Sequence, residues 1–286
     1  MTIWNLGSIN VDNFYSVPRI PGPGETIAST ELSMGLGGKG ANMSVAAARA
    51  GAHVAHIGAV GSDGVWARDR LTEFGVDTRH IGVLTGATGH ANIMRDTEGE
   101  NTIVLYPGAN AKISTDMIGA AISGAETGDF LLFQNETGEQ GFAAETGRKL
   151  GMRVAYAVAP YVPGRLRALV PFLDLLILNA VEARQLQDEL GVLAGELGIE
   201  NVFVTHGADG CDWITQGETR RFPAHPAIPV DTTGAGDTFT GYLLAGLDRG
   251  HPVEEAIDLA SRAAALMVAR HGTADVIPDL REVLAL

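Results

Sequence analysis

Cysteine is almost absent from this chain of 286 residues, and the single thiol, Cys211, excludes an internal disulfide and any cysteine-rich zinc module. A lone cysteine of this kind reads as a small buried hydrophobe. Aromatic residues make up only 6% of the chain against 37 glycines, a balance that suits a small-residue-rich α/β protein better than a β-sandwich. Basic residues are in deficit, 20 against 34 acidic ones, and the formal net charge of −14 argues against a nucleic-acid-binding surface. No stretch of roughly 18 apolar residues occurs, so no transmembrane helix is expected. The start, Met1-Thr2-Ile3-Trp4-Asn5-Leu6-Gly7, lacks the basic region and long apolar run of a secretory signal. A soluble cytoplasmic protein with neither a membrane nor a nucleic-acid partner is the expectation. Core-forming material is plentiful: 45% hydrophobic residues against 19% charged disfavours disorder and allows one large domain or two modest ones.

Hydrophobic periodicity gives the organisation. Residues 2–8 read as a buried strand entering a glycine. From 10 to 34 the pattern changes: Pro18, Pro21 and Pro23 interrupt it, and Glu25–Met34 alternates polar and apolar residues as a half-exposed strand does. Gly40–Ala50 is Ala-rich and helical, 53–60 reads as a strand, about 64–74 as a helix and 79–84 as another strand. In a second half-exposed segment, His90–Asp96 and Asn101–Tyr106 flank Thr97-Glu98-Gly99-Glu100, which predicts a hairpin. Helices are then predicted near 114–123, 138–150, 180–190, 236–248 and 253–270. Strands are predicted near 129–134, 152–158, 173–178 and 201–205, with short strands and turns over 210–230. Strands spaced by helices imply a doubly wound, mostly parallel α/β sheet with helices on both faces. The excursions at about 10–34 and 88–106 form a small β-sheet lid inserted into it. No linker, repeat or low-complexity tract divides the chain, so residues 1–286 read as a single domain.

Two glycine-rich stretches carry the chemistry. Gly35-Leu36-Gly37-Gly38-Lys39-Gly40 formally matches the dinucleotide-binding G-x-G-x-x-G pattern. That reading needs a buried strand before it and an acid at the end of the next strand, whereas 53–60 ends in Gly58-Ala59-Val60-Gly61. A Walker A loop fails too, because Lys39 is followed by Gly40 rather than Ser or Thr. What remains is a turn at a helix start, with Lys39 and Asn42 on the first turn and a backbone that a hydroxyl-rich ligand can approach. The second stretch, Asp231-Thr232-Thr233-Gly234-Ala235-Gly236-Asp237-Thr238-Phe239, leads small residues straight into an apolar helix. The amides of Gly234, Ala235 and Gly236 at the positive end of the helix dipole make an anion hole. Asp237 beside it is placed as a general base for a hydroxyl attacking a phosphoryl group. A helix cap needs one acceptor and not three flexible residues ahead of it. His206, His225, His251 and His271 show no metal-ligand spacing and read as surface or turn residues.

Asp231–Gly241 resembles the C-terminal signature of the PfkB, or ribokinase-like, carbohydrate kinase family. Gly37-Gly38-Lys39-Gly40-Ala41-Asn42, with Val45-Ala46-Ala47-Ala48-Arg49 after it, resembles the N-terminal signature in its ribokinase form. Gly7-Ser8-Ile9-Asn10-Val11-Asp12, Pro21-Gly22-Pro23-Gly24-Glu25-Thr26, Gly99-Glu100-Asn101 and Gly108-Ala109-Asn110 follow in family order, so the resemblance covers nearly the whole chain. It implies a doubly wound core with a β lid and transfer of the ATP γ-phosphoryl group to a sugar or nucleoside hydroxyl, with Asp237 as the base. Asn179-Ala180-Val181-Glu182 is similar to the family's N-x-x-E element, where Glu182 would hold Mg²⁺ through water. Thr205-His206-Gly207-Ala208-Asp209-Gly210 is similar to the turn along the ATP phosphates, which gives Asn179, Thr205, Gly207, Gly210 and Gly236 to ATP. Asn10 and Asp12 at the end of the first strand, with Gly38, Lys39, Asn42 and Glu136, fall to the sugar. Asp231 and Thr233, with Met267, Arg270 and Gly272 as carbonyl donors, match a K⁺ site made mostly of backbone oxygens, although Val276 stands where the family supplies a serine hydroxyl. Ribokinase-like relatives pair through the lid, which implies a homodimer.

Three other readings compete. A nucleoside kinase of the same family needs an apolar or aromatic pocket for the base, for which Phe14, Tyr15 and Tyr106 are the candidates. A non-catalytic sugar-binding regulatory protein needs neither Asp237 nor the anion-hole loop. A dehydrogenase fails on the missing acid.

Overall fold

The computed structural model describes residues 1–98 and 100–286. Among them the strands in chain order are β1 (Thr2–Leu6), β2 (Asn10–Ser16), β3 (Glu31–Gly37), β4 (His53–Val60), β5 (Ile81–Val83), β6 (Gly89–Arg95), β7 (Asn101–Tyr106), β8 (Phe130–Phe133), β9 (Arg153–Ala157), β10 (Leu175–Asn179), β11 (Asn201–Thr205), β12 (Cys211–Thr215) and β13 (Glu218–Phe222). The helices are α1 (Lys39–Arg49), α2 (Val65–Glu73), α3 (Thr115–Ile122), α4 (Gln140–Lys149), α5 (Arg165–Leu169), α6 (Ala180–Leu190), α7 (Ala235–Asp248), α8 (Val253–Val268) and α9 (Leu280–Leu284).

One sheet runs in the order β13-β12-β11-β10-β9-β8-β1-β4-β5. It is parallel from β11 to β5, and β12 and β13 close the other edge antiparallel. Its central strands are short apolar runs because both faces are covered. Alternation along β8 makes this explicit: Phe130 and Leu132 enter the core beneath α1, α7 and α8, while Leu131 and Phe133 enter the core beneath α3 and α4. On the first face α1 packs closely on α7. A Cβ at Gly241 would sit only 2.5 Å from the Ala46 Cβ, so glycine is what lets the two helices meet and brings Asn42 up to Asp237.

The second sheet runs β3-β2-β6-β7, with β2 parallel to β6 and the other two pairings antiparallel. It is the expected lid with shifted boundaries. The segment 17–30, with its three prolines, carries no strand, and the strand anticipated over Glu25–Met34 begins at Glu31 and runs on to Gly37. Gly35-Leu36-Gly37 is therefore strand rather than turn, paired to Asp12, Val11 and Asn10. Asn10 and Asp12 accordingly stand on β2 of the lid and not at the end of β1. Between β6 and β7, Asp96 Oδ1 accepts the Glu98 and Glu100 amides, as a hairpin turn does; Gly99 of the predicted turn and of the Gly99-Glu100-Asn101 motif lies outside the described residues. The short helices α5 and α9 were not anticipated. Cys211 is buried as expected. No helix among the described residues is long and apolar enough to cross a membrane.

Candidate active site

The carboxyl ends of β10 and β11 and the N-terminus of α7 converge on one cleft. A cavity of about 290 Å³ there is lined by Lys39, Asn179, Glu182, Thr205, Gly236 and Asp237, among others. In α7 the N-cap is Gly234, with no side-chain cap, and Asp237 sits two residues into the helix. Asp237 is thus not a capping residue. It is buried, and its Oδ2 accepts a hydrogen bond from Asn42 Nδ2 at 2.9 Å. Thr233, Gly234 and Gly236 line the cavity. Ala235 does not, and its N–H donates to the Thr232 carbonyl at 3.3 Å.

Lys39, the first residue of α1, is the electrostatic centre. Its ammonium pKa is raised above the ordinary lysine value, chiefly by Asp237 and then by Glu136, Glu182 and Asp12, against the opposing effect of burial. Among the described residues none of these carboxylates forms an ion pair with it within 4.0 Å, so the charges face a shared space rather than closing on one another. Glu136, in the loop after β8, accepts from Ser8 Oγ at 2.5 Å and from the Lys39 amide at 3.1 Å. Asp12 is pushed up to about 7 by burial, with Glu136 and Asp237 adding to the effect and Lys39 offsetting it. A Cβ on Gly37 would overlap the Asp12 carboxylate, so the glycine across the β2–β3 pair makes the room that Asp12 occupies. Asn10 is buried, and its Oδ1 accepts from Asn110 Nδ2 at 2.8 Å. Gly38 precedes Lys39 as the N-cap of α1.

On the opposite side Asn179 and Glu182 form a capping box at the start of α6. Asn179 Oδ1 accepts the Val181 and Glu182 amides at 2.9 Å, and Glu182 Oε2 accepts the Asn179 amide at 2.8 Å. The side-chain Nδ2 of Asn179 and Oε1 of Glu182 are what remain for a ligand. Burial raises the Glu182 pKa, so a cation is a favourable neighbour for its charged form. No cluster of three or more His, Cys, Asp or Glu able to hold a metal occurs among the described residues. One carboxylate suits Mg²⁺, an ion that keeps most of its water and is completed by substrate phosphates. Thr205 pairs with Asn179 in register and lines the cavity. Gly207 and Gly210 lie in the turn beyond it, outside that lining, where the Gly210 carbonyl accepts the His206 amide at 2.8 Å.

Of the residues matched to a K⁺ site, Asp231 has both carboxylate oxygens engaged. Asp231 Oδ2 is paired with Arg95 Nη2 at 3.0 Å, and its Oδ1 accepts the Thr233 amide at 3.0 Å. The Met267 carbonyl accepts the Arg270 amide at 3.1 Å. The Arg270 side chain donates to the Val276 carbonyl and Glu282, and Gly272 lies beside the Val276 methyls. Sequence reasoning did not find Arg95, nor the anchoring roles of Ser8 and Asn110. The motifs Gly7-Ser8-Ile9-Asn10-Val11-Asp12 and Gly108-Ala109-Asn110 include Ser8 and Asn110, but Arg95 shows no local signal.

The pfkB family carbohydrate kinase model matches residues 3–280. The ribokinase of Haemophilus influenzae is 35% identical over 300 residues, covering 99% of this chain and 97% of that protein. A crystal structure of ribokinase from Thermotoga maritima superposes with a TM-score of 0.90 at 30% identity, covering 99% of this chain and 97% of the other. The structure of Arabidopsis thaliana ribokinase complexed with ribose and ATP gives 0.86 at 28% identity, with 99% and 97% coverage. The chain belongs to the pfkB family of carbohydrate kinases, and its activity is ATP-dependent phosphorylation of a sugar hydroxyl.

Proposed function

We propose that this kinase phosphorylates ribose or a closely related free sugar, and that residues 1–286 act as one kinase domain with an inserted lid. The observation that carries the catalytic assignment is Asp237, buried beside the cavity and held by a neutral donor on Oδ2 only, which leaves its other oxygen open to a substrate hydroxyl. Asp237 takes the proton of the accepting hydroxyl as it attacks the γ-phosphoryl group. The Gly234, Ala235 and Gly236 amides stabilise charge developing on the transferred group. Asn179, Thr205 and the 207–210 turn follow the ATP phosphates. Glu182 would hold Mg²⁺, which would supply neutralisation of phosphate charge.

Asn10, Asp12, Gly38, Lys39, Asn42 and Glu136 bind the sugar through paired hydrogen bonds suited to neighbouring hydroxyls. Asn42 Oδ1 is buried without a partner, an acceptor that a sugar hydroxyl would satisfy. Phe14 and Tyr15, considered for a nucleoside base, line a different cavity, and Tyr106 is exposed on the lid against His90, which supports a free sugar over a nucleoside. The lid exposes Leu32, Met34 and Val104, which the pairing register places on one face, and this apolar face supports pairing of two chains through it. The chain acts in the cytoplasm, where ATP is supplied. A purified-protein screen of pentoses, 2-deoxypentoses, hexoses and nucleosides with ATP, reading ADP release, tests the reading. The highest kcat/KM is expected for ribose, and a nucleoside preferred by tenfold or more would overturn the substrate assignment.

A further inference from the structure

We infer that the guanidinium of Arg95 takes the place of a monovalent cation at Asp231, so that phosphoryl transfer by this chain needs no K⁺. The inference rests on the kinase reading above. Arg95 is the last residue of β6 in the lid and Asp231 opens the loop that leads to Gly234 and Gly236, so the pair joins the lid to the anion hole. The Asp231 side chain is only 8% exposed, and a carboxylate so placed requires a cation or several donors. It has both: Arg95 at 3.0 Å on one oxygen and the Thr233 amide at 3.0 Å on the other. Although burial raises its pKa, hydrogen bonds from Thr233 and Arg95 outweigh that and hold it below the usual carboxylate range.

A K⁺ ion approaching this carboxylate would meet a fixed positive charge on the same group. Like charges a few ångströms apart repel strongly where water is scarce. The guanidinium stays charged at every working pH, unlike an exchangeable ion whose occupancy depends on concentration. Its position is set by β6 pairing to β2, Arg95 opposite Ser16, and by the Phe14 ring 6.0 Å away. One further position agrees: Val276 brings methyl groups where a hydroxyl would serve a cation. Arg95 is thus a positioning residue. It fixes Asp231, which fixes Thr233 and the amides after it.

The test compares initial rates of sugar phosphorylation in KCl, NaCl and tetramethylammonium chloride at equal ionic strength. ADP is read directly by chromatography, because coupling enzymes bring cation requirements of their own. For the wild-type chain kcat is expected to agree within about twofold across the three salts. Arg95→Gln is expected to lower kcat roughly tenfold in tetramethylammonium, the scale of one lost charge-assisted hydrogen bond, with partial recovery in KCl. Arg95→Lys should retain most of the rate. Thermal melting of the wild-type chain without substrates is the second readout, and its midpoint is expected to be the same in all three salts. A saturable rise of the wild-type rate with K⁺, a K⁺-specific gain in melting temperature, or an Arg95→Gln rate unchanged in every salt overturns the inference. If Arg95→Gln does not fold, the wild-type salt series decides alone. ADP release from no sugar in any salt counts against the kinase reading, and the melting series then still decides whether K⁺ binds.

Discussion

Asp231 and Asp237 stand at the two ends of one loop-to-helix turn, and their surroundings are opposites. Asp231 has both oxygens consumed, one by a guanidinium and one by a backbone amide. Asp237 has a neutral amide donor on one oxygen and faces a cavity with Lys39 and Glu182. A carboxylate closed into an ion pair is a fixed brace, because taking its proton acceptor away means breaking the pair. A carboxylate held only by a neutral donor keeps an oxygen free to accept a proton. Proximity to a glycine-rich loop therefore does not by itself mark the base; what the second oxygen touches does.

Substitution at the free carboxylate should have the largest effect. Asp237→Asn is expected to lower kcat on the order of 10²–10⁴, the usual contribution of a general base, and to leave sugar affinity within a few-fold. Near-normal turnover in steady-state assays would falsify its role. The braced carboxylate should answer differently. Asp231→Asn is expected to cost about tenfold in kcat and to lower the melting temperature, because it leaves the Arg95 charge without its partner. Equal losses at the two positions would erase the distinction between them. Glu182→Gln tests a third acid around the same cavity. It is expected to move the Mg²⁺ concentration for half-maximal rate upward several-fold, roughly the scale of one lost carboxylate–cation contact, while saturating Mg²⁺ restores most of the rate. An unchanged metal titration would leave Glu182 as a capping residue alone.

Asp12 sharpens the comparison through pH. Its folded pKa of about 7 lies above the ordinary 3.8, so it favours the fold when protonated, and that contribution is lost as pH rises through the folded value. Asp12→Asn does not titrate. The melting temperature of the variant minus that of the wild type, without sugar, is therefore expected to increase from about pH 5 to about pH 8. A difference constant with pH would mean that Asp12 is not held in its raised state. The smallest effect on rate is expected at the lid surface. Light scattering should give a mass near twice 29.9 kDa, and Val104→Lys should shift it toward the monomer with little change in kcat. A monomeric wild-type chain would remove the dimer from the proposal.

Much of this molecule was legible without coordinates. The helix over 180–190 agrees with α6 to the residue, because Asn179 and Glu182 write a capping box into four consecutive positions. The same signal at Asp279 and Glu282, which starts α9, was present and went unread. Strands 53–60 and 201–205 agree because buried parallel strands are short apolar runs with sharp polar boundaries. The lid was legible as a half-exposed pattern but not in its boundaries, since alternation over Glu25–Met34 does not reveal which residues find a partner strand.

What the sequence determined by itself is whatever depends on neighbours a few positions away: the helix starts, the loop of small residues before Asp237, the apolar strands, the family signatures and with them the chemistry. What only the tertiary structure decided depends on docking the lid against the core. Arg95 meets Asp231 across 136 positions, Asn110 steadies Asn10 across 100, and Asn42 reaches Asp237 across 195. Ala235 carries a signature identity, yet it does not line the cavity, and its amide donates to the Thr232 carbonyl. Local rules settle backbone conformation because hydrogen bonds in a helix turn or cap span three or four residues. Which charges are closed into pairs and which are left open to a substrate is settled by side chains that become neighbours only when two sheets and two helices pack together.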